Sequence, residues 1–153
     1  EVSMAIILAA LTRSFLIAII SIGVFSLIVE MPINNILFIF IFGFLSAFIL
    51  GSLGFITGLW AEKFDHTATV TNFVITPLSF LSGVFYSIDK LPKFFQTISH
   101  INPFFYMIDG FRYGFLGKSD GSISVGLIYL SILSIVMWYM AFFLYKKGYK
   151  IKS

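Results

Sequence analysis

Long uncharged apolar stretches separated by short polar breaks dominate the chain. Residues 4–29 carry one charge, Arg13, and residues 34–60, 67–87 and 121–145 carry none. A helix crosses the apolar core of a bilayer with roughly 20 residues, so each stretch is long enough to span. The break Glu30-Met31-Pro32-Ile33-Asn34-Asn35 reads as a turn, marked by its proline and two asparagines. A second break, at 61–66, holds Glu62, Lys63 and Asp65 and reads as a short polar loop.

The segment from 89 to 120 has a different texture. It carries charges at both ends, prolines at 92 and 103, and an apolar middle too short to span. Leu91-Pro92 and Asn102-Pro103 read as helix starts, because Asn is a good N-cap and Pro loses nothing at the first helical position. The pattern predicts short helices near 92–100 and 103–116, forming a re-entrant or interfacial pair over 91–117. The expected fold is all-α transmembrane: four spanning helices plus two short external helices before the last span, in one transmembrane domain over 1–153.

Composition strengthens this reading. The chain is 59% hydrophobic and 11% charged, where soluble domains average about 25% charged. So few charges could not cover a water-soluble surface, whereas lipid tolerates the 19% of aromatic residues. With no cysteine, disulfides and thiolate metal sites are ruled out. Lys146, Lys147, Lys150 and Lys152 follow the last span, and this basic tail (146–153) points to the cytoplasm. Four spans then place both ends and the 61–67 loop in the cytoplasm and 88–120 outside. Lys90, Lys93, Arg112 and Lys118 oppose that assignment and are partly offset by Asp89, Asp109 and Asp120.

Several positions are candidates for function. Gly43, Ala47, Gly51, Gly54 and Gly58 share one helical face. Such a face lets helices approach closely, either as a moving or dimerising surface or as static packing within the chain. Pro77 removes the backbone bond to the Phe73 carbonyl and predicts a kink, with Thr76 or Ser79 available to satisfy the freed group. Together with Gly83 it marks either a hinge or a fixed bend. Arg13 either snorkels to the cytoplasmic interface or lies on a substrate path. Asp109 and Arg112, three apart on one face, are expected to pair. The aromatics around them form an interfacial belt or an external gate.

Enzyme signatures are missing: the sequence has no H-E-x-x-H, G-x-S-x-G or G-x-x-x-x-G-K-[ST]. His66 and His100 fall on opposite sides of the expected topology and cannot share a metal. Membrane-surface attraction accounts for the basic tail, so no nucleic-acid partner is expected; membrane lipid is.

The run Thr76-Pro77-Leu78-Ser79-Phe80-Leu81-Ser82-Gly83-Val84-Phe85-Tyr86 is followed by Leu91-Pro92, Asn102-Pro103-Phe104-Phe105-Tyr106 and Asp109-Gly110-Phe111-Arg112-Tyr113. In order and spacing this set resembles the C-terminal signature of ABC-2-type transport permeases, the membrane subunits of a class of ATP-binding-cassette exporters. The resemblance implies an inner-membrane permease subunit without a catalytic site or cofactor of its own. A separate ATPase subunit would bind ATP-Mg, and a second permease copy would complete a homodimer. It also implies six spans, of which this chain would hold the last four, without the first two and their coupling helix; alone it is not expected to transport. Signature or gating residues would be Pro77, Gly83, Phe85, Pro92, Asn102, Pro103, Tyr106, Asp109 and Arg112, with Glu62, Lys63 and Asp65 open to the ATPase. The cargo would be an apolar or amphipathic compound, a lipid or a glycan, the last in a path lined by aromatics such as Phe80, Phe85 and Tyr86. The alternative is a membrane assembly or scaffold subunit that transports nothing.

Overall fold

The computed structural model describes residues 2–30, 32–61, 64–84 and 88–146. Helix α1 covers Val2–Ser26 and α2 covers Ile36–Trp60. Helix α3 (Phe64–Val70) runs through a π turn (Thr71–Ile75) into α4 (Thr76–Phe80). After a 3-10 turn at Ile88–Lys90 come α5 (Lys93–Ile101), α6 (Pro103–Leu116) and α7 (Ile123–Lys146).

Three helices among the described residues are long and apolar enough to cross a membrane: Met4–Ser26, Ile36–Trp60 and Ile123–Lys146. In their most apolar windows only 11 to 17% of residues are buried by protein. Side chains such as Ile19, Ile20, Phe73 and Ile135 face outward. Helices apolar on every face and left uncovered need a lipid surround. Several of their hydroxyls are satisfied internally: Thr12 and Ser14 donate back to the Leu8 and Ala10 carbonyls at 2.9 Å, and Ser134 to Leu130 at 2.8 Å, while the buried Ser52 hydroxyl has no partner among the described residues.

The 67–87 stretch, expected as a fourth span, differs. Its helix runs from Phe64 only to Phe80 and is interrupted by the π turn. Pro77 lacks an N–H, and the chain before it widens to i→i−5 bonding, with the Thr76 N–H donating to the Thr71 carbonyl. The expected partners for the Phe73 carbonyl go elsewhere: the Thr76 hydroxyl to Thr71 at 3.0 Å and the Ser79 hydroxyl to Ile75 at 2.8 Å. Beyond Phe80 the chain turns, and Gly83 takes φ 78, a left-handed conformation that favours glycine.

Helix α2 is central, contacting α1, α6 and α7. The core lies where α2, α6 and α7 meet: Phe42, Ile49, Ile88, Phe105, Tyr106, Met107 and Leu130. Asn35 caps α2 by accepting from the Leu37 N–H at 3.1 Å. The Asn34 and Asn35 N–H groups donate to the Gly114 carbonyl at 3.1 and 2.8 Å, pinning the α1–α2 turn to the end of α6. Asn102 ends α5 and caps α6, accepting from the Phe104 N–H at 3.0 Å, with Pro103 at the first helical position. Pro92 precedes α5 as its N-cap residue.

Candidate functional site

Two facts about helix ends organise the site. A helix leaves its last carbonyls without partners, and such groups are costly away from water. The last carbonyls around α4 are taken up by side chains of the α5–α6 pair. Asn102 Nδ2 donates to the Leu78 carbonyl at 2.6 Å and Ser99 Oγ to Leu81 at 2.8 Å. Arg112 Nη2 donates to Gly83 at 2.6 Å. Ser99 and Asn102 are buried, and Ser82 adds a short hydroxyl bond to the Ser79 carbonyl.

The second hand of Arg112 holds the α6–α7 connection. Its Nη1 pairs with Asp120 Oδ2 at 2.9 Å, and the same oxygen accepts from the Ile88 N–H at 3.3 Å. Asp109 does not pair with Arg112 as expected from their spacing. Its Oδ1 accepts from the Asp120 N–H at 2.7 Å and its Oδ2 from the Gly121 N–H at 3.0 Å. The chain folds back after Gly117, whose φ of 68 ends α6. That return brings unpaired loop N–H groups to the carboxylate and Asp120 to the guanidinium, so both partners are engaged outside the helix.

Asp109 is 2% exposed. Burial pushes its carboxyl above the usual range; the two N–H bonds lower it, the Asp120 charge raises it and Arg112 lowers it, in smaller measure. The folded state therefore holds the proton more tightly than an unfolded chain. This stabilisation is complete below the ordinary carboxylate value and is lost as pH rises through the raised one. Relative to Asp109→Asn, the wild type is expected to gain melting temperature as pH falls from neutral toward the ordinary carboxylate range. A difference that stays flat across that range would mean the two N–H bonds cancel the effect of burial. Tyr106, whose ring lies tilted against that of Tyr129 at 5.1 Å, is likewise raised by burial first and then by Tyr129 and Asp109. Tyr129 donates its hydroxyl to the Ile101 carbonyl at 2.8 Å, tying α7 to the end of α5.

The structure thus brings together Gly83, Asn102, Tyr106, Asp109 and Arg112, with Pro92 and Pro103 starting the two short helices and Pro77 one turn below. Phe85, together with Tyr86, lies outside the described residues, as do Glu62, Lys63 and the tail from 147 onward. Asp65 is exposed at the start of α3. The small-residue face of α2 divides. A Cβ at Gly43 would touch Phe111 and one at Gly51 would touch Ala10, each at 3.3 Å, while Gly54 and Gly58 have nothing within 4 Å. Ala47 lines the open groove beside them.

Sequence reasoning missed Ser99, Asp120, Tyr129, and Gly110 with Gly114. The glycine pair had a visible signal, a four-residue step on one face of α6. A Cβ at Gly110 would fall 2.1 Å from the Phe42 ring, and one at Gly114 would fall 2.5 Å from Ile39. The close helix contact in this protein is therefore α2 against α6.

An all-helical protein with three such helices and a polar knot at one end is a multi-pass membrane protein. A family model described as ABC-2 type transporter matches residues 1–116. The chain is 39% identical over 109 residues to the inner membrane transport permease YadH of Escherichia coli, covering 71% of this chain and 43% of that protein. Nodulation protein J of Sinorhizobium fredii is 27% identical over 97 residues, covering 63% and 37%. Nodulation protein J of Rhizobium leguminosarum biovar viciae is 33% identical over 85 residues, covering 56% and 33%. No solved structure matches the chain. This chain belongs to the ABC-2 type transporter family. It spans less than half the length of these curated relatives.

Proposed function

We propose that the chain forms part of the inner-membrane subunit of an ATP-driven exporter, with hydrolysis carried out by a separate ATP-binding-cassette subunit and a second permease copy completing the path. The observation that carries this reading is the family match over residues 1–116, which takes in most of the polar knot. In this reading the chain crosses four times. The α3–π–α4 rod is the third crossing, α5 and α6 form the external pair, and the lysine tail is cytoplasmic. Asp65 and its neighbours Glu62 and Lys63 then face the ATPase.

The knot supports a mechanical role. Ser99, Asn102 and Arg112 make the end of α4 and the α5–α6 pair move as one body. The π turn below Pro77 is the deformable point, since its backbone bonding departs from the α-helical ladder. Motion begun at the cytoplasmic end of α3 would reach the external pair through α4. The low charge of the spans suits an apolar or amphipathic cargo, because little in them would replace a hydration shell.

Affinity purification of the full-length permease from its source membranes tests the partnership. An ATP-binding-cassette subunit is expected in the eluate, and nucleotide hydrolysis should follow it. Purification of the permease without any such subunit, under mild detergent and in repeated preparations, would sink the proposal.

A further inference from the structure

Asp109 is the only buried charged side chain among the described residues. Its cover is thin. The connection from α6 to α7 passes over it, and on that connection Lys118 and Ser119 are exposed. Side chains of α6 hold the connection down. Asp109 accepts the Asp120 and Gly121 N–H groups, and Arg112 pairs with the Asp120 carboxylate. Gly121 lies close against what is beneath it: a Cβ there would fall 2.9 Å from the Phe105 ring and 3.3 Å from Asp109 Oδ2. A single layer of chain therefore separates this carboxyl group from solvent.

The charges beneath that layer do not balance. Two carboxyl groups, of Asp109 and Asp120, share the cluster with one guanidinium. Arg112 uses its two ends on Asp120 and on the Gly83 carbonyl, so no cation is bonded to Asp109 among the described residues. Burying an ionised carboxylate without its own counter-ion is costly, and two N–H bonds offset part of that cost. The net effect of burial here is to favour the protonated form. The other titratable or charged groups around it are Tyr106 and Arg112 on α6, Asp120 on the connection and Tyr129 on α7. His100 on α5 lies behind the Phe105 ring at 5.1 Å, and Lys90 and Lys118 are exposed. The face of α2 packed on α6 brings Ile39 and Phe42, which do not titrate.

We propose that the 117–121 connection is a proton-linked lid, which shuts over Asp109 when that carboxyl group carries a proton and lifts more readily when it is ionised. Lifting separates Asp120 and Gly121 from Asp109 and lets water reach the carboxylate. A proton relieves the buried charge while the lid is shut, and water relieves it once the lid is open. The shut form therefore binds the proton more tightly, and by linkage each opening releases one proton to solvent as the acid becomes carboxylate. The bond from Arg112 to Gly83 does not involve the connection, so the end of α4 stays docked on α6 while the lid moves. For an exporter this ties opening of the external end to proton release. That consequence rests on the transport reading above; the lid itself does not.

The test places nitroxide spin labels on Ser119→Cys and Gly58→Cys in the full-length permease, with no other cysteine. Gly58 has open space around its Cβ and lies at the far end of α2 from the lid, about 35 Å away at 1.5 Å per residue. Labelled protein is diluted with unlabelled permease in nanodiscs, so that distances within one chain are read. As pH rises from the ordinary carboxylate range to above neutrality, the longer-distance population is expected to grow, by at most about ten-fold per pH unit for one proton. Asp109→Asn should hold one distribution at every pH, and His100→Gln should keep the wild-type response. If Asp109→Asn does not assemble, the wild-type infrared spectrum supplies the second reading: a carboxylic-acid carbonyl band should fade with the same midpoint as the distance change. A wild-type distribution that ignores pH, a lid that lifts on acidification, a response that survives Asp109→Asn or vanishes in His100→Gln, or two different midpoints overturns the lid. A pH-insensitive lid in a permease that co-purifies with its ATPase defeats the lid alone. A responsive lid in a permease that never brings down an ATPase defeats the exporter reading alone.

Discussion

Replacing Gly110 by alanine is expected to destabilise the permease by about 1–3 kcal/mol or more, the range for overpacking a well-filled core. The new Cβ would sit 2.1–2.3 Å from the Cδ1, Cε1 and Cγ atoms of Phe42. Cγ stays in place when the ring turns about the Cβ–Cγ bond, and the buried cluster around Phe42 resists a change of χ1, so side-chain rotation does not clear the clash. Phe42 is fully buried, packed with Phe105 and Met107 in the main cluster. Relief must come from moving α2 away from α6. Gly54→Ala serves as the control: with open space around its Cβ, the change is expected to stay within about 0.5 kcal/mol.

The partner substitution separates this explanation from a loss of helix flexibility. Phe42→Ala, which removes all three clashing atoms, should cost less alongside Gly110→Ala than alone, because the two changes share one contact and couple. Gly114→Ala should resist similar rescue, since its Cβ would meet the Ile39 backbone nitrogen at 2.9 Å as well as the side chain. Thermal unfolding of the full-length protein in one detergent measures all of these. A Gly110→Ala variant that melts with the wild type would show that α2 and α6 do not need this approach.

Arg112→Ala is expected to lower stability by about 1–3 kcal/mol, the cost of leaving charged and backbone partners without a donor. The side chains of Arg112 and Asp120 keep 24% and 18% exposure, which places the pair below a fully buried one. The functional effect is expected to be the larger one. Arg112 is the joint that holds both the Gly83 carbonyl and Asp120, so transport should fall more steeply than folding. Arg112→Lys should restore the charge and little of the activity, because an ammonium lacks the planar fork that reaches two acceptors in different directions. Exchanging Asp109 and Arg112, which would rescue a pair within one helix, is expected to rescue nothing. Each makes its bonds to groups beyond α6. Full activity in Arg112→Lys would reduce the joint to a simple charge effect.

Much of the architecture was legible in local pattern. The long apolar stretches at 4–29, 34–60 and 121–145 match α1, α2 and α7, because length and hydrophobicity alone decide what lipid accepts. Asn102-Pro103 marked the α5–α6 boundary, since capping depends on neighbours a few residues away. The π turn was less accessible. Pro77 announced a disturbance, but whether the helix kinks, ends or widens depends on what satisfies the surrounding carbonyls. Here the Thr76 N–H and hydroxyl both reach the Thr71 carbonyl, so the helix widens, and the stretch after Phe80 turns instead of continuing.

The chain's membrane character, its apolar segments and its family signature were determined by sequence alone. They follow from composition, from spacing within one or two helical turns, and from the order of short motifs. Only the tertiary structure decided the partners. Spacing paired Arg112 with Asp109, whereas the fold paired it with Asp120 and Gly83. Spacing put the close-packing glycines on α2, and the fold put the tightest approach at Gly110 and Gly114 on α6 while leaving Gly54 and Gly58 open. The reason is the same in each case. A helix dictates which residues share a face, but what that face meets is set by how the chain returns, through Gly117, Asp120 and Gly83, to elements far away in sequence.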